Sequence, residues 1–297
     1  MMKNHTELLV FGEVLFDCFP SGEKVLGGAP FNVAWHLQAL GDHPLFISRV
    51  GNDDGGQLIL EEMRNWSMNT HAVQVDAEHP TGRVEVTIND GEPSYDIIAD
   101  SAYDYISPQQ SLATSGGILY HGTLCLRSHT ARDSFGEITN NQNLRIFLDV
   151  NLRAPWWQRD EVLGWLNNAT WAKMNEGELR LLAAPTTDIQ QQMAELQVTC
   201  GLEQVIVTRG GKDTLIRTAT GEFHSLSPRK VDHQVDTVGA GDAFSAVYIH
   251  GLRAGWPVAE TLDYAQQFAG KIIGLRGATT TNPLFYKEFV SSLGCRG

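Results

Sequence analysis

The chain has 297 residues, of which 42% are apolar and 19% charged, as expected of a globular protein that buries a large core. Its net charge of -13, from 22 basic and 35 acidic residues, disfavours nonspecific binding to nucleic acid and to anionic membranes. Four widely spaced cysteines without a CxxC pair argue against a disulfide framework or a cysteine metal cluster.

Hydrophobic periodicity predicts the fold class. The first apolar run, residues 8–11, is too short for a signal peptide or a membrane span, so we expect a cytoplasmic protein. Short apolar runs then alternate with longer segments of helical period, which predicts an α/β fold with a mainly parallel sheet. The predicted strands are 8–11, 45–50, 118–121, 145–150, 170–173 and 204–208, and the predicted helices are 30–40, 55–66, 130–139, 176–183, 189–199, 240–253 and 258–275.

Two segments depart from this alternation. Residues 14–19 and 83–99 have the pattern of antiparallel strands, and the second contains turn residues at 89–93. They can form a lid over the sheet edge or an extra edge hairpin, and periodicity does not choose between the two. No linker or internal repeat interrupts the pattern, so residues 1–297 are predicted to form a single domain.

A glycine pair precedes the first predicted helix, in the run Gly27-Gly28-Ala29-Pro30-Phe31-Asn32. Paired glycines let a ligand approach the backbone closely, and Asn32 offers both a donor and an acceptor, which suits a polyol. Such a pair is more often simple turn chemistry. Upstream, Asp17 lies in an otherwise apolar strand, where a carboxylate needs donors such as sugar hydroxyls.

The most informative run is DTVGAGD, residues 236–242, which opens an apolar helix. Gly239, Ala240 and Gly241 let successive N–H groups point into one concavity at a helix N-terminus, which predicts an oxyanion site. Asp242 would repel a bound phosphate, so it indicates a base that takes the proton of a hydroxyl attacking the phosphoryl group. An N-capped helix start explains one Asp but not the whole run.

The two clusters, in this order, resemble the two signatures of the ribokinase-like (PfkB) carbohydrate kinases, and the resemblance extends over the whole chain. It implies a three-layer α/β/α domain with a small β-stranded lid near 12–24 and 82–103, and a nucleotide-binding half near 170–297. The family's GG…N…A…LG pattern is matched by Gly27, Gly28, Asn32, Ala34, Leu40 and Gly41, and its DTxGAGD pattern by residues 236–242.

The resemblance also implies the nucleotide side of the site. Asp242 is the implied catalytic base, and the turn of Gly239, Ala240 and Gly241 is the implied anion hole. ATP and Mg²⁺ are the implied cofactors, with Glu178 of an NxxE-like element acting on the metal through water. The loop from Thr208 resembles the TxGxxG pattern, except that Asp213 replaces its last glycine. The residues implied for nucleotide binding are Asn175, Glu178, Thr208, Gly210, Gly211, Gly239, Gly241, Gly277, Ala278 and Asn282.

Relatives often hold a monovalent cation behind the anion hole, largely through backbone carbonyls. For this chain the resemblance implies a K⁺ site with Asp236 and Val238 at one end and Gly277 and Thr281 at the other. Relatives also often pair through their lids, which implies a homodimer of the same kind.

Within the family, the runs 27–34, 91–95 and 102–104 most resemble the fructokinases. Residues 149–153 resemble their DxNxR element, shared with ketodeoxygluconate kinases, which favours Arg153 as a ligand residue over a cross-link between carboxylates. Tyr95 is expected either against the apolar face of a sugar or as a cross-strand aromatic. The implied substrate-binding residues are Asp17, Gly27, Gly28, Asn32, Tyr95, Arg153 and Asp242.

The implied activity is ATP-dependent phosphorylation of a primary hydroxyl on a free sugar, with fructose at its 6-hydroxyl as the first candidate. Alternatives in the same class are 2-keto-3-deoxygluconate kinase and nucleoside kinase. The expected partners are therefore a small sugar and ATP, with no nucleic acid and no membrane.

Other function classes fit the sequence less well. A dinucleotide-binding oxidoreductase needs GxGxxG after the first strand, which residues 11–15 lack, and the P-loop pattern GxxxxGK[ST] is missing. A sugar-sensing relative without catalysis would have lost the base or the anion turn, and both are intact. His121, at a predicted strand end, is expected to be a core histidine rather than a second base.

Overall fold

The computed structural model describes residues 7–89, 92–108, 116–140, 143–229 and 235–293. Within these ranges nine strands form one sheet and four form another. The strands are β1 (Glu7–Phe11), β2 (Leu15–Cys18), β3 (Lys24–Gly27), β4 (Leu45–Gly51), β5 (Val73–Asp76), β6 (Gly82–Asn89), β7 (Glu92–Ile97), β8 (Gly117–His121), β9 (Leu144–Asp149), β10 (Trp171–Asn175), β11 (Gln204–Thr208), β12 (Thr214–Thr218) and β13 (Phe223–Leu226).

The helices follow the α/β alternation that periodicity predicts. Short 3₁₀ turns at Ala102–Tyr105 and Cys125–Arg127 lie beside β8 in sequence. The α-helices of the described residues are α1 (Ala29–Ala39), α2 (Asp54–Asn65), α3 (His129–Asn140), α4 (Arg159–Leu166), α5 (Glu176–Leu182), α6 (Ile189–Cys200), α7 (Ala240–Ala254), α8 (Val258–Ile272) and α9 (Pro283–Leu293). None of these helices has both the length and the hydropathy to cross a membrane.

The large sheet has the order β13-β12-β11-β10-β9-β8-β1-β4-β5. Every neighbouring pair from β5 to β11 is parallel, whereas β12 and β13 add an antiparallel edge. The chain starts at β1, extends the sheet through β4 and β5, and returns to the other side of β1 with β8. In open α/β sheets such a reversal leaves a crevice at the carboxyl ends of the strands, where ligands bind.

Side chains on both faces of the large sheet are buried, so helices cover both sides. In β1, Leu8 and Val10 pack into a core with α1, α2, α7, α8 and α9, whereas Leu9 and Phe11 face α3. Further along, alternate residues of β9, β10 and β11 pack against α4, α5 and α6. This is a three-layer α/β/α arrangement, as the resemblance implies.

The small sheet is separate from the edge of the large one and has the order β3-β2-β6-β7. The hairpin β6–β7 pairs with β2, so the second departing segment forms part of a lid rather than an extra edge hairpin. Its β2–β3 and β6–β7 pairs are antiparallel as predicted, but β2 and β6 run parallel. The predicted turn at 89–93 includes residues 90–91, which lie outside the described residues.

Some elements escape periodicity. The sequence patterns do not predict β3, β5, β12, β13, α4 or α9, and the last predicted helix ends at Ile272 rather than 275. β12 and β13 have only five and four residues and lie at an antiparallel edge, and strands this short carry little periodic pattern.

Candidate active site

Asp242 lies in the first turn of α7, and its carboxylate is bound from the other half of the chain. Asn32, in the first turn of α1, donates from Nδ2 to Asp242 Oδ2 at 2.8 Å, across 210 residues of sequence. Burial raises the pKa of Asp242 from 3.8 to about 6, while the Asn32 hydrogen bond and nearby cations oppose this rise. A carboxylate with this pKa can take up a proton near neutral pH.

The turn before α7 is held against the segment around residue 278. Gly239 has φ +77°, and a methyl group on it would lie 2.3 Å from the Ala278 Cβ, so only glycine fits. Asp236 accepts from the amides of Val238 at 3.0 Å and Gly277 at 3.3 Å. The run at 236–242 and the Gly277-Ala278 element, far apart in sequence, are therefore adjacent.

A buried polar network lies beneath the start of α7. Lys173 of β10 donates from Nζ to Asp149 Oδ2 at 2.7 Å, and the same oxygen accepts from Ser245 Oγ of α7 at 2.8 Å. Tyr120 of β8 lies 3.4 Å from this oxygen. No sequence motif singles out Lys173 or Ser245, although a lysine within the apolar strand Trp171-Ala172-Lys173-Met174 is a local signal of a buried charge.

The predicted acceptor side forms where the lid meets β1. Gly28 has φ +105°, and a Cβ there would lie 2.7 Å from the Glu13 carbonyl oxygen. Asp17 Oδ2 is 3.5 Å from the corresponding position on Gly27. Burial raises the pKa of Asp17, and the positive charge of Arg153 opposes it, so the lid carboxylate and this arginine lie within electrostatic reach.

Glu13, two residues after β1, is a second carboxyl group at this place, and the sequence motifs do not single it out. Its side chain is only 3% exposed, and Oε2 has no hydrogen-bond partner among the described residues. Burial raises its pKa to about 7, the charge of Asp242 adds to the rise, and Arg153 and Arg127 oppose it. An acid after an apolar strand end was the available signal.

The predicted nucleotide residues lie at the ends of β10 and β11. Asn175 caps α5 by accepting from the Glu178 amide at 2.9 Å. Both Glu178 oxygens accept backbone amides, from Leu152 and Asn175, each at 2.8 Å. Thr208 ends β11, and Gly210 and Gly211 follow it in an open turn.

Asp213 replaces the last glycine of the TxGxxG pattern, and its carboxylate forms an ion pair across this turn. Its carboxylate accepts from Arg209 Nη1 at 2.6 Å and from Ser225 Oγ of β13 at 2.7 Å. Arg209 also contacts Glu176 at 3.3 Å. An ionic cross-link therefore stands where the family pattern has a flexible glycine.

Three predicted residues stand apart from these contacts. Tyr95 of β7 is 52% exposed, opposite Val86 in the lid. Asn282 uses its side-chain oxygen to accept from the Leu284 amide at 3.0 Å at the start of α9. Thr281 lines a groove between α1, α2 and α9 together with Trp66. No hydrogen bond of the described residues joins these three to the Asp242 cluster.

His121 is a core histidine, as predicted. It is buried, packs on Phe135 with ring centroids 4.4 Å apart, and its Nδ1 lies 2.9 Å from the Gly122 carbonyl oxygen. Burial lowers its pKa to about 4.

Known proteins share this architecture over nearly their whole length. The fructokinase of Salmonella typhimurium is 27% identical over 300 residues, covering 94% of this chain and 97% of that protein. The aminoimidazole riboside kinase of Salmonella typhimurium is 28% identical, covering 95% and 93%. A double-mutant fructokinase of Vibrio cholerae O395, with fructose, ADP and potassium ion bound, superposes with a TM-score of 0.81 at 23% identity, covering 98% of this chain and 100% of that one.

The family model described as pfkB family carbohydrate kinase matches residues 7–284, which include the lid, the turn before α7 and the Asp242 carboxylate. With the three-layer fold and the glycine-rich turn before α7 in place, the chain belongs to the pfkB family of carbohydrate kinases.

Proposed function

We propose that this kinase transfers the γ-phosphoryl group of ATP to the 6-hydroxyl of fructose. The observation that carries the proposal is the Asn32–Asp242 hydrogen bond, which joins the helix after the glycine pair to the helix after the anion turn. This contact supports a site in which one carboxylate serves both the sugar, bound beside α1, and the phosphate, bound before α7.

On the acceptor side, Asp17 and Asn32 orient sugar hydroxyls while the Gly27-Gly28 backbone allows the sugar to lie close. Asp17 has two acceptor oxygens and lies near Gly27. Arg153, after β9, is exposed, and its positive charge lowers the pKa values of Asp17 and Asp242. Both observations fit an arginine at the mouth of the pocket. Tyr95, half exposed on β7, is the lid aromatic that would cover the apolar face of the sugar.

On the donor side, the amides of Gly239, Ala240 and Gly241 face the γ-phosphoryl oxygens at the positive end of α7. The adenine lies between the loop after β11 and the segment 277–282. Among the described residues no group of three His, Cys, Asp or Glu side chains could hold a metal ion directly. Mg²⁺ prefers phosphate oxygens and water, so Glu178, whose oxygens each accept one amide, fits a role through water.

The reaction needs one proton acceptor and one anion site. Asp242 takes the proton of the sugar hydroxyl as its oxygen attacks the γ-phosphorus, the bond from that phosphorus to the β,γ-bridging oxygen breaks, and ADP leaves with the bond electrons. The anion turn stabilises the charge on the three transferred oxygens. Positioning and electrostatics supply nearly all of such catalysis.

A coupled assay of ADP release over a panel of acceptors tests the substrate. We expect fructose to give the highest kcat/KM, ahead of 2-keto-3-deoxygluconate, aminoimidazole riboside, ribose and adenosine, with the phosphate on C6 by ³¹P NMR. If another acceptor gives a higher kcat/KM than fructose, that acceptor is the substrate and the fructose assignment is wrong. ADP release that persists in Asp242→Asn at the wild-type rate would contradict the assignment of the site.

Aminoimidazole riboside is included because its kinase from Salmonella typhimurium is as similar to this chain as the fructokinases are. Its ribose also offers a primary hydroxyl, so the same base and anion turn would serve. The difference between the two acceptors lies at the far end of the pocket, away from Asp242.

A further inference from the structure

Lys173 is a buried cation in an unusual place. Its side chain is 7% exposed, and a Cβ built on Gly241 would lie 3.4 Å from its Nζ, so the ammonium group lies directly beneath the first turn of α7. Helix dipoles stabilise cations at C-termini and destabilise them at N-termini. Folding stability alone would therefore not select a lysine at this position.

A hydrogen bond to Asp149 uses one of the three N–H donors of Lys173 and holds its ammonium group in this position. Asp149 accepts one of its three N–H groups at 2.7 Å, and Ser245 fixes the same carboxylate oxygen from within α7. Breaking a buried ion pair is costly, whereas replacing both partners by neutral groups is often tolerated. The pair thus needs a reason beyond stability, and an anion arriving at the turn before α7 supplies one.

The charge of Lys173 acts on both sides of the predicted transfer site. It lowers the pKa of Asp242, on the acceptor side, and that of Glu178, on the nucleotide side, against the opposite effect of Asp149. Its ammonium group is thus a positive charge shared by the two halves of the site. The groups that face Asp242 are Asn32 from α1, Glu13 after β1, Tyr120 from β8, Asp149 from β9, Arg153 after β9 and Lys173 from β10.

We propose that Lys173 is a positioning residue for phosphoryl transfer: held by Asp149 beneath Gly241, its ammonium group keeps the Asp242 carboxylate ionised and compensates the charge of the phosphoryl group at the turn. This inference rests on the proposed function and deepens it. Lys173 acts through its position and charge, so it adds no step to the reaction.

Three variants test the role. We expect Lys173→Met to lower kcat about 100-fold or more with a smaller change in sugar KM, and to move the acid limb of kcat/KM up by about one pH unit, because a cation near a carboxylate lowers its pKa. Lys173→Arg keeps the charge and is expected to recover part of kcat and the wild-type limb. Lys287→Met, an exposed lysine on α9, removes the same charge and is expected to leave kinetics unchanged.

The double variant Lys173→Met/Asp149→Asn separates this role from a structural one. It leaves no unpaired buried charge, so a purely structural pair predicts that kcat returns as thermal stability returns. Our inference predicts a stable protein with kcat still depressed. Recovery of wild-type kcat in the double variant, or an unmoved acid limb in Lys173→Met, would overturn the proposal.

A binding measurement makes the inference independent of the sugar. Calorimetric titration with Mg²⁺, ADP and aluminium fluoride, a mimic of the transferred phosphoryl group, is expected to show at least about tenfold weaker binding in Lys173→Met, with ADP alone little changed. If the wild type binds this mimic but phosphorylates none of the sugars, the substrate proposal fails and the Lys173 inference stands. Equal binding of the mimic by both proteins would overturn the inference.

Discussion

Asp242 receives opposing influences that together place its pKa near 6. Burial and the charge of Asp149 favour the protonated carboxyl, whereas the Asn32 amide and the charges of Lys173 and Arg153 favour the carboxylate. A free surface aspartate would be ionised at a lower pH but would be a weaker base. The local environment thus makes Asp242, the proposed base, more basic than a surface aspartate while leaving it ionised at pH 7.

The activity is expected to follow this pKa. Because the base must be ionised, kcat/KM should be constant above pH 7 and fall about tenfold per pH unit well below pH 6. Asp242→Asn preserves the shape of the side chain and one oxygen that can accept from Asn32, but it removes the base. We expect kcat to fall about 10²–10⁴-fold. Steady-state kinetics from pH 4.5 to 8.5, with nucleotide binding as the control for folding, check both outcomes; an acid limb far from pH 6 would contradict the assignment.

A substitution at Gly239 tests whether the turn before α7 must lie against Ala278. Alanine there would combine a left-handed backbone at φ +77° with a methyl group 2.3 Å from Ala278 Cβ. We expect Gly239→Ala to lower kcat at least about 100-fold, since the anion turn must move. Gly255→Ala is the matched control, because φ is +72° but the space around its Cβ is open. It should lose about 1 kcal/mol of stability and keep its kinetics; equal kinetic losses in the two variants would point to backbone strain alone.

At the scale of elements, α1 joins the two ends of the site. Asn32, Trp35 and His36 have the i, i+3, i+4 spacing of one helix face. Asn32 reaches Asp242, Trp35 Nε1 donates to the Thr280 carbonyl at 3.1 Å, and His36 Nε2 lies 3.1 Å from the Ala278 carbonyl. Since a carbonyl only accepts, Nε2 carries the proton of the neutral ring, whose pKa burial lowers to about 3.

The helix therefore couples the segment proposed to bind adenine to the acceptor side. Trp35→Phe keeps a ring in the stack with Trp66 but leaves the Thr280 carbonyl without its donor. We expect KM for ATP to rise about fivefold, corresponding to ~1 kcal/mol, with the sugar KM unchanged. Trp66→Phe also loses an indole donor, but to the Trp35 carbonyl rather than to this segment. An equal rise in both variants would contradict the role of the Thr280 contact.

For the whole molecule, contiguous motifs were predictable and long-range clusters were not. The run at 236–242 encodes its own turn and helix start, so sequence alone locates Asp242. Lys173, Asp149 and Ser245 come from two strands and a helix, and their contacts join residues 24 and 96 positions apart. Glu13 likewise acquires its character from burial, which depends on how the lid and β1 pack. A local pattern can mark Lys173 or Glu13 as a charged group in an apolar setting, but it does not say which distant residues that group will contact.

Buried titratable groups also determine how the stability of the whole chain depends on pH. Glu13 and Asp242 have raised pKa values of about 7 and 6, so the folded state holds extra protons and the free energy of unfolding falls as pH rises through 4.5–7 and 3.8–6, respectively. His36 and His121, lowered to about 3 and 4 from 6.5, have the opposite effect as pH rises to 6.5. Between pH 4.5 and 6 the two negative and two positive contributions to the pH dependence of the free energy of unfolding cancel.

Glu13→Gln removes the contribution of Glu13 to the pH dependence of stability. Because a glutamine needs no deprotonation, the variant should gain free energy of unfolding relative to wild type as pH rises above 4.5, at ~1.4 kcal/mol per pH unit, reaching about 3 kcal/mol by pH 7 and staying constant beyond. Urea unfolding at pH 4.5, 6 and 8 measures this difference. Glu61→Gln, an exposed position on α2, removes the same charge and should show no such pH-dependent gain. If the difference between Glu13→Gln and wild type is the same at all three pH values, Glu13 is ionised in the folded protein, and its carboxylate must then have a partner in the acceptor pocket.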